Sequence, residues 1–101
     1  MTNLNLSILE LQQKIVGNWQ NDDLVYSFYP IEQAGVSYVD ILKNGERIGR
    51  QIYSIEQNNG QFLLTRSNLE FAIQSIDEKE LLVFGPLVNG SGGGQDRFVK
   101  L

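Results

Sequence analysis

The chain has 101 residues, of which 42% are hydrophobic and 20% charged, with a formal net charge of −4. This is a single-domain length with ordinary globular composition, and the acidity speaks against nucleic-acid phosphates as a partner. Histidine and cysteine both number 0, which excludes a disulfide frame, thiolate catalysis, Cys- or His-ligated metal and imidazole acid–base chemistry.

The first ten residues lack the basic start and unbroken apolar run of a signal peptide. No stretch approaches the roughly 18 apolar residues needed to cross a bilayer. A cytoplasmic protein without membrane insertion is expected. Ser7 and Glu10 then have capping-box spacing, with Leu6 and Leu11 at the flanking staple positions. Ile8, Leu11 and Ile15 share a face at helical spacing, and Gly17 is a natural stop. A helix is predicted over about 7–16. It is too short to be stable alone, so its apolar stripe must cover something, and an open barrel end is a candidate.

From Trp19 onward the period is two. Strands are predicted around Trp19, over Leu24–Tyr29 up to Pro30, and over Val36–Leu42 up to the hairpin signal Asn44-Gly45. Ile48–Ile55 runs to Asn58-Asn59-Gly60, and Phe62–Arg66 joins Leu69–Ile76 through Ser67-Asn68. Asp77-Glu78-Lys79 turns into Leu81–Phe84, which ends at Gly85-Pro86. Asn89–Gly94 is a glycine-rich loop, without the lysine and following helix of a phosphate cradle, and Arg97–Leu101 is the last strand. About eight strands joined by tight turns, with no room for βαβ crossovers, make a small antiparallel up-and-down barrel. The expected class is all-β, one domain over 1–101, with the helix near 7–16 and strands over about 17–101.

Gly17-Asn18-Trp19 is a G-x-W directly after a short helix and before a meander, and Arg97 lies in the last strand. This arrangement resembles the calycin group: lipocalins, fatty-acid-binding proteins and the short bacterial lipocalin-like domains. The resemblance implies a lipocalin-like barrel in which Trp19 packs near the closed end with Arg97 against its ring. Two departures limit it. Only Gln20–Asp23 separates Trp19 from the second strand, where fatty-acid-binding proteins insert a helix pair. The last strand reads Arg97-Phe98-Val99, without the tyrosine that those proteins offer to a ligand carboxylate.

The candidate chemistry lies on the strands. Inward placement of Phe62, Leu64, Leu69, Phe71 and Ile73 avoids burying Glu70 and Gln74, at the risk of drawing Arg66 in behind them. Tyr26 and Phe28 share the face of Leu24 and are placed inside as well. Arg50 points inward if Ile48 and Ile52 do, and is solvated if Tyr53 and Ile55 face in instead. Asp40 either pairs with Arg50 or Arg66 or faces water. Tyr26 and Tyr38 are the expected polar contacts of a narrow, mostly apolar pocket, and Arg50 or Arg66 its charge. The function expected is binding of a small, mostly hydrophobic molecule inside the barrel, without cofactor, metal or catalytic residue. Two alternatives remain: a cofactor-free barrel isomerase or cyclase, and a solid-core barrel acting as an interaction module or homodimer.

Overall fold

In the computed structural model, which describes residues 7–32, 35–87 and 92–101, eight antiparallel strands follow one helix and close into a barrel in sequence order. The helix α1 spans Ile8–Lys14. The strands are β1 (Gly17–Asn21), β2 (Leu24–Phe28), β3 (Ser37–Lys43), β4 (Glu46–Asn58), β5 (Gln61–Arg66), β6 (Leu69–Ile76), β7 (Glu80–Leu87) and β8 (Gly94–Lys100). Closure comes from β1 against β8, with Trp19 opposite Lys100 and Gln20 opposite Val99. No helix among the described residues is long and apolar enough to cross a membrane.

The helix begins as its cap dictates. The Glu10 amide donates to the Ser7 hydroxyl, and the Ser7 amide to the Glu10 carboxylate, each at 3.2 Å. Two orphan amides are thereby satisfied. The staple partner Leu6 lies outside the described residues. Leu11 and Ile15 are fully buried and join the barrel core, so α1 plugs the end from which β1 starts.

The turns at the opposite end follow local chemistry. Asn44 and Gly45 have φ of 53° and 81°, the left-handed pair that a two-residue hairpin turn requires. Ser67 and Asn68, at 48° and 66°, make the same kind of turn between β5 and β6. At the helix end, the Asp77 carboxylate accepts from the Lys79 and Glu80 amides at 2.7 and 2.8 Å. β7 extends through Pro86 to Leu87, beyond the expected end at Phe84. The β6 ladder skips here, pairing Ala72 with Phe84 and Glu70 with Leu87, so Pro86 occupies an irregularity that asks for no ladder donor. The loop expected over Asn89–Gly94 falls largely on 88–91, outside the described residues.

The inward faces of all eight strands supply one core. Trp19, Phe28, Val39, Tyr53, Ile55, Phe62, Leu64, Phe71, Ile73, Ile76, Leu81, Val83 and Phe98 are buried and mutually packed. Phe28 meets Tyr53 edge-on at 5.0 Å between centroids, and Tyr26 meets Phe98 likewise at 5.1 Å. The barrel interior is therefore packed with side chains, as the diameter of a small barrel demands.

Two placements differ from the sequence reading. Leu69 was expected inside, but it is 49% exposed at the rim. The period-two choice on β6 also left Ala72 and Ile76 outside, yet both are buried. The register shift between Ile73 and Ser75 puts an extra residue, Gln74, into β6 and turns Ile76 inward. Ala72 is covered on the outer side between its partners Leu63 and Phe84, and Leu69, opposite Arg66, keeps the inward register but lies at the strand end.

Candidate functional site

The closed end is organised around Trp19, which is fully buried. Its indole N–H donates to the Ile15 carbonyl at 2.8 Å, tying β1 to the end of α1. The cation above the ring is not Arg97. The Lys100 ammonium lies 4.6 Å from the ring centroid and donates to the Val16 carbonyl at 2.6 Å. Arg97 instead sits on the exposed side of β8, where it pairs with Glu80. The expected Arg97–Trp19 contact is thus corrected, and register is the reason. Lys100 is the residue opposite Trp19 and faces in with Phe98, whereas Arg97, one residue before Phe98, faces out. Burial pushes the Lys100 ammonium pKa down. Gly17 is required beside it: its φ is +124°, and a Cβ there would lie 2.6 Å from the Lys100 nitrogen.

The other end of the interior holds the polar groups. Tyr53 and Arg66 are cross-strand partners, as are Val39 and Gln51, so Arg66 and Gln51 share the inward face with buried neighbours. The Arg66 guanidinium lies 5.0 Å from the Tyr26 ring centroid and 4.8 Å from that of Phe71. One of its nitrogens donates to the Gln51 side-chain carbonyl at 3.0 Å. No carboxylate comes within ion-pairing distance of Arg66 among the described residues. Asp96 has the inward register opposite Val83, but it is exposed and forms no ion pair with Arg66. This mouth thus combines two aromatic faces, an amide and a half-buried cation.

The outer face of β3 and β4 carries a second cluster. Asp40 and Arg50 are cross-strand partners, joined by two hydrogen bonds of 2.6 and 3.0 Å. The Tyr29 hydroxyl donates to the same carboxylate at 2.8 Å, and Arg47 approaches it to 3.9 Å. The Arg50 guanidinium lies 5.5 Å from the Tyr29 ring centroid and 5.0 Å from that of Tyr38. The hydrogen bond from Arg50 holds the Asp40 carboxyl down to about 2 against the opposing effect of burial, with Tyr29 assisting. The same bond raises the Arg50 pKa. Beside the cluster is a cleft of about 370 Å³ lined by Tyr29, Pro30, Glu32, Val36, Tyr38 and Ile52. Tyr53 reaches beneath it, its hydroxyl donating to the Tyr29 carbonyl, and burial raises the pKa of that phenol.

The residues singled out from sequence therefore divide into three groups. Phe28, Phe62, Leu64 and Ile73 lie in the packed core, and Tyr26, Arg66 and Phe71 meet at the mouth. Tyr38 and Arg50, expected as internal contacts, are on the outer wall instead. The inward alternation of Tyr53 and Ile55 forces this, since it turns Ile48, Arg50 and Ile52 outward. Gln51 and Lys100 were not among the candidates, and Tyr29 was expected as the aromatic end of a strand. The same alternation carries Gln51 inward with Tyr53, whereas Lys100 and Tyr29 gain their roles only from register and a loop. No group of three or more acidic side chains suited to a metal occurs among the described residues. The fold and mouth define a small helix-plugged antiparallel barrel. No protein-family model, curated protein or solved structure gives a significant match to the chain.

Proposed function

We propose that the protein binds a small amphiphile at the mouth of the barrel, with an apolar tail against Tyr26 and Phe71 and an acidic head on Arg66. The single observation behind this reading is the state of Arg66. Its guanidinium is turned into the barrel wall between two rings and hydrogen-bonded to a neutral amide, with no carboxylate partner among the described residues. A half-buried cation of this kind gains from an incoming anion, because guanidinium and carboxylate form strong, charge-assisted bonds outside bulk water. Sandwiching by two rings also fixes the guanidinium beforehand, which reduces the ordering cost of binding.

The packed core limits the ligand to the mouth around Arg66. A short chain or a single ring fits that limit better than a long acyl chain. The reading is tested by thermal-shift titration with a matched series: decanoate, decanol and decylammonium. Decanoate should raise the melting temperature most and decylammonium least. Equal shifts for all three, or none, would remove Arg66 from any binding role.

A further inference from the structure

The outer face of β3 and β4 has a surface that barrel closure leaves unused. Tyr38 and Ile52 pair across the two strands and are 47% and 57% exposed, and Ile48 on the same face is 59% exposed. With Tyr29 and Val36 they form a run of exposed large apolar groups beside the 370 Å³ cleft. Single exposed apolar residues are ordinary, but a contiguous run marks a binding surface. A closed barrel offers no unpaired strand edge, so a partner must dock on the face. Arg50, already held by Asp40 and stacked between Tyr29 and Tyr38, is a preorganised anchor of the type that dominates interfaces.

Charge and shape both identify the occupant. On the outer face at the β4 start, Arg47 and Arg50 share one carboxylate, Asp40, while Glu46 stands opposite Lys43 on the other side of the strands. This end of the face therefore carries an excess positive charge within a chain of net charge −4. At the other end, before β3, Glu32 forms no ion pair among the described residues. The protruding Ile48, the residue skipped where the β3–β4 register shifts, lies at the Arg47 end, and the cleft lies at the Glu32 end. A half-turn about an axis through the middle of the face therefore brings Arg47 of one copy to Glu32 of the next, and Ile48 to the cleft, twice over. Knob with hole and cation with anion, at opposite ends of one patch, is the self-complementarity that a two-fold interface requires. We infer that this face joins two copies of the chain into a symmetric dimer.

The experiment is sedimentation equilibrium of the wild-type chain and three surface variants, up to about 500 µM so that weak association is seen. The wild type should dimerise, and Ile48→Glu should weaken the dimer about tenfold or more by placing a charge in the apolar cleft. Glu32→Arg and Arg47→Glu should each weaken it by a similar factor, about tenfold, through like-charge repulsion. An equimolar mixture of these two variants should re-form a dimer, because each then supplies the charge that the other lacks. Far-UV circular dichroism confirms that all three exposed substitutions leave the barrel folded. A wild type that stays monomeric throughout, a dimer indifferent to the three variants, or a mixture that fails to associate would each overturn the inference.

Discussion

Replacing Trp19 with phenylalanine keeps an aromatic ring in the closed end but removes the indole N–H. The Ile15 carbonyl then loses its donor, at 2.8 Å in the native chain, inside a fully buried environment. An unsatisfied buried acceptor costs about 1–3 kcal/mol. The smaller ring leaves roughly 40 Å³ empty, adding about 1 kcal/mol at about 24 cal/mol per Å³. The total of about 2–4 kcal/mol corresponds to a melting-temperature drop of roughly 8–30 °C for a domain of this size. Because Trp19 is the 1 tryptophan in the chain, its fluorescence disappears with it, and unfolding must be followed by far-UV circular dichroism. Trp19→Ala adds the loss of the ring itself, about 3–5 kcal/mol, and should leave little folded protein at 25 °C. A Trp19→Phe midpoint within about 3 °C of wild type would refute the hydrogen-bonded plug, since that is below the shift for 1 kcal/mol.

Lys100→Met keeps the apolar stem but removes the cation over Trp19 and the donor to Val16, and should cost about 1–2 kcal/mol in urea unfolding. Arg97→Met, by contrast, removes an exposed pair and should change stability by less than about 1 kcal/mol in the same assay. The Asp40 carboxyl is held at about 2, below its ordinary 3.8, so its contribution to stability is present above the ordinary value and lost as pH falls through about 2. Acid unfolding between about pH 5 and 2 should accordingly flatten in Asp40→Asn, measured as denaturant midpoint against pH. Some acid dependence will remain, because the backbone amides of Lys79 and Glu80 lower the Asp77 pKa as well.

Much of the barrel could be read from local signals, because those signals are short-range. Ser7 and Glu10 specify a helix start through their own backbone contacts, and Asn44-Gly45 specifies a turn through left-handed φ. Alternation then places Phe62 and Leu64 on the core face without knowledge of any partner strand. Where the reading failed, the deciding contact was remote or the ladder irregular. Nothing near Arg97 shows that Lys100, three residues on, will be the one opposite Trp19. The reversal of alternation beyond Gln74 depends on how β7 pairs with β6, so Ile76 could not be placed from its own segment, and the covering of Ala72 by Leu63 and Phe84 needed both neighbouring strands. Asp40 illustrates the middle case. Its pairing with Arg50 was one open choice, but its further partner Tyr29 lies outside the strands. Of the mouth, Tyr26, Arg66 and Phe71 were each legible as inward candidates, whereas their stacking required three strands to be brought together.

The proposed site is tested most directly by isothermal titration of decanoate into wild-type protein and into Arg66→Leu, a substitution that retains an apolar side chain between Tyr26 and Phe71. Hydrogen bonds to a charged group contribute about 1.5–3 kcal/mol, so Arg66→Leu should weaken decanoate binding by roughly 10- to 150-fold. Binding of decanol should be unchanged within a factor of about three, since the tail contacts remain. Decanoate binding of equal strength to both proteins, or no binding to the wild type at millimolar ligand, would contradict an acidic-amphiphile site at the barrel mouth.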